Sequence, residues 1–74
     1  MSLEFLLVVF PETAPQRVVL ADGDKVGFTN HTLMLPADEY QITLEGDKTE
    51  PPLQDVVLTG TSVMRPKVII FGPA

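Results

Sequence analysis

Asp22 to Leu44, DGDKVGFTNHTLMLPADEYQITL, is the stretch that decides the fold. Asp22-Gly23 between two apolar runs is a hairpin signal, because glycine accepts the positive φ of a tight turn. Lys25 to Phe28 reads as the returning strand. Gly27 inside it predicts a bulge or a close backbone approach. Thr29-Asn30-His31-Thr32 reads as a polar link, and Leu33 and Leu35 alternate after it as a short strand. Pro36 to Glu39 turns the chain. Tyr40, Ile42 and Leu44 then alternate with Gln41, Thr43 and Glu45, the pattern of a half-buried strand.

The flanks add more strands. Arg17 to Ala21 forms the first arm of the hairpin. Leu3 to Phe10 is a strand with apolar residues on both faces, ended by the Pro11 to Pro15 segment. Beyond Leu44, residues 46–52 form the longest loop, expected to be mobile. Leu53 to Thr59 resumes as a strand, Gly60-Thr61-Ser62 turns, and Val63 to Phe71 is the last strand, with Pro66 bending its first half. No helix of three turns can be placed. Short strands at this spacing predict an all-β chain, a small antiparallel β-sandwich of six to seven strands over a single domain, 1–74.

Composition narrows the function. The chain has 74 residues, a net charge of −5 and no cysteine. One domain of this size has a thin core. Its acidic balance and five scattered basic residues, with no basic stripe or stacking aromatics, argue against nucleic acid and against an anionic membrane surface. Leu3 to Phe10 is too short to span a bilayer and lacks the flanks of a signal peptide, so no membrane insertion is expected. Without cysteine the chain suits the cytoplasm if this is the whole protein, while an excised domain would suit an extracytoplasmic setting.

Candidate sites are sparse. Asp22 and Asp24, with Asp47, are the metal candidates, but calcium wants six to eight oxygens and a turn explains the pair. His31 has no placed nucleophile or second ligand. Asp38 and Glu39 would point to opposite faces of a strand and could not share a proton. Thr61 and Ser62 lack a nucleophile elbow, and no phosphate-binding glycine loop is present. Tyr40 with Thr29, Thr32 and Thr43, extended to Asn30 and His31, is the candidate carbohydrate surface. The alternation that groups Tyr40 with Ile42 and Leu44 favours a packed ring instead. No cofactor and no catalytic residue is expected, so the chain reads as a non-enzyme.

The doubly apolar terminal strands stand out. Either they are central in their sheets or one face of each meets a partner. Phe5, Leu7, Val9, Ile69 and Phe71 are the candidate interface, and the simplest partner is a second copy, with another protein as the alternative. The leading expectation is a non-catalytic interaction module. A carbohydrate or cell-wall binding module comes second, and a small calcium-binding or enzymatic domain last.

The residues also resemble a family. Pro11-Glu12-Thr13-Ala14 is similar to the Pro-Glu-Gly-Ala signature of PEGA domains, with Thr13 in the glycine position. Arg17-Val18-Val19-Leu20, Asp22-Gly23, Val26-Gly27 and Thr29 resemble that family's strand, Asp-Gly turn and Val-Gly-x-Thr run. Leu33-x-Leu35-Pro36-Ala37 and Tyr40-x-Ile42-x-Leu44 resemble its next segment. The departures lie in turns, with Asn30 where the family has proline and Asp38-Glu39 where it has glycine. The resemblance implies a prealbumin-like or immunoglobulin-like sandwich, an accessory module of surface or exported proteins, with no shared ligand or catalytic residue.

Overall fold

The computed structural model describes residues 2–11 and 16–74. The signature-like segment around Thr13 and the expected break at Pro15 lie mainly outside these residues. The described chain is all-β. Its strands are β1 (Leu3–Val9), β2 (Val18–Ala21), β3 (Asp24–Phe28), β4 (Thr32–Pro36), β5 (Asp38–Leu44), β6 (Thr49–Glu50), β7 (Gln54–Leu58), β8 (Lys67–Ile70) and β9 (Gly72–Pro73). Two sheets carry the core, in the orders β4-β1-β8 and β3-β2-β5-β7, and β6-β9 is a short third ribbon.

The hairpin forms as its residues dictate. Asp22 and Gly23 both have positive φ, 51° and 87°, which makes a two-residue turn of the primed type between β2 and β3. Asp22 is also stitched to β5: its N–H donates to the Gln41 carbonyl, and its Oδ1 accepts the Gln41 N–H, each at 2.9 Å. The register shifts between Val19 and Leu20, opposite Gly27 and Lys25, so the bulge is present. The close approach is present too, because a β-carbon at Gly27 would run into the Leu33 side chain.

The polar link is more structural than its composition suggests. Thr29 is fully buried. Its Oγ1 accepts the Arg17 N–H at 3.1 Å, and its own N–H donates to the Arg17 carbonyl at 2.9 Å. Asn30, at φ 64°, donates its N–H to the Val8 carbonyl, and its side-chain oxygen accepts the Phe10 N–H. A short polar side chain tolerates that left-handed backbone and satisfies the end of β1.

Four expectations need correction. The turn expected over Pro36 to Glu39 is Ala37 alone, because Pro36 ends β4 and Asp38 begins β5. β1 and β8 run parallel, so the sandwich is not wholly antiparallel. The 46–52 loop contains β6, which pairs with β9 near the C-terminus. The expected strand from Val63 starts only at Lys67: Ser62 to Arg65 is a tight turn closed by reciprocal backbone bonds of 3.2 and 3.1 Å, and Pro66 after it cannot donate to a ladder.

One core cluster draws on both sheets. Leu6, Val8, Leu33, Leu35 and Ile69 come from the first, and Val19, Ala21, Ile42, Leu44, Val56 and Leu58 from the second, with Phe10 and Phe71 at the strand ends. The chain changes sheet between β4 and β5 within one residue, Ala37, whose N–H donates to the Ser2 carbonyl at 3.1 Å.

Candidate functional site

The outer face of the β4-β1-β8 sheet is the candidate site. Alternation along β1 buries Leu6 and Val8 and turns Leu3, Phe5, Leu7 and Val9 outward. Register carries the same face onto the neighbours. Met34 lies opposite Phe5, and Pro36 opposite Leu3. Leu7 sits between Thr32 and Val68, and Val9 beside Ile70. None of these side chains is charged. Met34 is 61% exposed and Ile70 66%, while Leu3 and Val68 are each 49% exposed. The central residues Phe5, Leu7 and Val9 are half-buried by those neighbours.

This geometry corrects the candidate interface. Phe5, Leu7 and Val9 do lie on the open face. Ile69 and Phe71 do not: they are 6% and 0% exposed and belong to the core. With both sides of β8 apolar, the sequence offered no sign of which side faces in. The outward residues of that strand are Val68 and Ile70. Met34 was also missed, although Leu33 and Leu35 pointing inward places it outward by alternation.

The edge of the face is held by a buried carboxylate. Glu4 is 7% exposed and shares the inner side of β1 with Leu6. One of its carboxylate oxygens accepts both the Thr61 N–H and the Thr61 hydroxyl at 2.8 Å. Thr61 Oγ1 in turn accepts the Phe5 N–H at 2.7 Å. The Thr61 N–H, then its hydroxyl, hold the Glu4 pKa below the usual carboxylate value, and burial opposes them. This latch fixes the crossover from β7 to β8. Beyond it, Val63 and Met64 stand at the corners of the Ser62–Arg65 turn, 66% and 88% exposed.

The other candidates separate in space. Tyr40 packs against the core, and its hydroxyl donates to the Pro36 carbonyl at 2.6 Å. Burial first, then the Asp38 and Asp22 carboxylates, push its pKa up. Thr43 alternates to the opposite side of β5, so the two do not share a surface. Asn30 is committed to the backbone of β1, and exposed His31 contacts the Gln16 amide at 2.7 Å. Asp22 spends a carboxylate oxygen on Gln41. Among the described residues no group of three or more His, Cys, Asp or Glu side chains is placed to hold a metal ion.

An open cleft of about 510 Å³ lies between Leu44, the 46–50 loop and Ala74. Its one hydroxyl, Thr49, donates to the Pro51 carbonyl. Asp47, Lys48 and Glu50 complete its polar lining without a nucleophile or a histidine. No helix among the described residues is long and apolar enough to cross a membrane. No protein-family model matches this chain, and neither a curated protein nor a solved structure matches it.

Proposed function

We propose that this chain is a non-catalytic interaction module whose docking surface is the outer face of the β4-β1-β8 sheet. The observation that carries the reading is an uncharged apolar sheet face left open in a chain of net charge −5. The largest apolar patch on a monomer is often functional, and large exposed patches rimmed by polar residues mark interaction surfaces. The resemblance to PEGA domains, accessory modules without a shared catalytic residue, accords with it.

The test separates docking from folding. Met34→Gln and Ile70→Thr are compared with wild type by thermal melting at high dilution. If the face serves a partner, each variant costs the isolated chain no more than about 0.5 kcal/mol, as exposed positions do. A loss in the core range, about 2 to 5 kcal/mol, would make the face part of the fold and end the docking reading.

A further inference from the structure

The outer face specifies the chemistry of its occupant. With no charged side chain on it, a charged partner would lose hydration on docking and gain no counter-charge. Its partner must therefore bring an uncharged apolar surface of similar size and flatness. The acids lie elsewhere. Glu39 and Asp55 stand on the outer face of the other sheet, Asp22 and Asp24 in the hairpin, and Asp47 and Glu50 by the 46–52 loop. Glu39 and Asp55 thus stand across the sandwich from the apolar face, while Glu4 of β1 and Lys67 of β8 alternate to the other side of their own strands.

We infer that the occupant is a second copy of this chain, stacked face to face about a two-fold axis to give a four-layer sandwich. This rests on the docking reading above. A second copy supplies the required surface by construction, and a two-fold interface uses the same patch on both partners. Stacking this way turns the sheet faces that carry Glu39 and Asp55 outward, away from each other. The fractional exposures correspond to on the order of 600 Å² of open surface per copy, the size of the largest patch on a typical monomer. Two such faces can bury at most on the order of 1,200 Å², the lower end for a specific interface. The dimer is therefore a weak one that dissociates on dilution. An anionic bilayer fits less well, because the face offers no basic residue to its headgroups.

The test is solution mass by light scattering over a hundredfold concentration range, on wild type, Val68→Lys and Val57→Lys. Val57 is a matched control, 58% exposed on the other sheet. Wild type is expected to pass from one chain mass to two, and Val57→Lys to do the same. Val68→Lys should stay a monomer throughout, its dissociation constant raised at least about thirtyfold, as for a hot-spot residue. Met34→Lys, on the opposite edge of the sheet, repeats the experiment if Val68→Lys loses its circular dichroism spectrum. A wild-type monomer at every concentration overturns the second copy, as does mass that grows past two chains, or association lost in Val57→Lys. A monomer that floats with phosphatidylserine–phosphatidylcholine vesicles, and stops floating as Val68→Lys, overturns it in favour of lipid. If wild type is monomeric but the face substitutions remain neutral in the melts, only the partner's identity falls and the docking face stands.

Discussion

The two sheets of the sandwich are alike inside and opposite outside. Inward, both present Val, Leu and Ile to one shared core. Outward, the β3-β2-β5-β7 sheet shows Glu39, Gln41, Thr43 and Asp55 among Val18, Leu20, Phe28 and Val57, with Lys25 3.8 Å from Glu45 at its edge. That is the ordinary alternation of a sheet with one face in water. The β4-β1-β8 sheet shows only apolar side chains and Thr32 on its outer side. The same fold and the same core therefore carry one outer face that mixes charged, polar and apolar side chains and one that bears no charge. Core formation explains the inner halves of both sheets, and it leaves the second outer face unexplained by folding alone.

The sharpest way to break that comparison uses two adjacent residues. Ile69 is 6% exposed and Ile70 is 66% exposed, on opposite sides of one strand. Ile69→Ala should cost about 2 to 5 kcal/mol in urea unfolding, through lost burial and a residual cavity. Ile70→Ala, unfolded at high dilution, should cost under about 0.5 kcal/mol. Equal costs would mean that the outer face is packed after all.

The next effect concerns the seam that joins the sheets. Gly27 of β3 has φ 154°, which L side chains rarely adopt, and an added β-carbon would meet a terminal methyl of Leu33 in β4. Gly27→Ala should cost about 1 to 3 kcal/mol, the usual range for overpacking. Unchanged stability in that variant would show that the Leu33 side chain and the backbone at position 27 yield to the added methyl.

The smallest effect is in acid. Glu4 is a charge on the inner side of the sheet whose outer side has none. Its folded pKa is lowered, so its contribution is complete above the unfolded value and is lost as pH falls through the folded one. The stability of wild type should therefore decline on acidification below the ordinary glutamate range. Glu4→Gln should flatten that part of the profile, read as melting midpoint against pH. A parallel decline in the variant would place the acid sensitivity in other carboxylates.

Much of the fold was legible in the chain, for local reasons. Asp22-Gly23 fixes its turn by φ, Gly27 marks the bulge, and Tyr40 to Leu44 alternates because one side meets water. The unread parts depend on long-range pairing. β6 is two residues long and exists only through β9, some twenty residues away in sequence, so no periodicity announces it. The parallel partnership of β1 and β8 likewise has no local signature. The candidate face was half legible, for a reason that lies in β8. Alternation tells inside from outside when one face is polar, and on β8 both faces are apolar. Ile69 and Phe71 were therefore indistinguishable from Val68 and Ile70 until the sheet was in place.

The most direct test of the docking face reads solvent contact at its methyl groups. Paramagnetic relaxation by a soluble gadolinium chelate, measured on methyl-labelled chain, reports which side chains meet water. At high dilution Leu7, Val68 and Ile70 should relax in keeping with their exposure, and Leu20 and Val57 likewise. At high concentration the methyls of Leu7, Val68 and Ile70 should be protected, while those of Leu20 and Val57 stay unchanged. Protection that develops equally on both sheets, or on the β3-β2-β5-β7 sheet alone, would contradict the assignment of the docking surface to the β4-β1-β8 face.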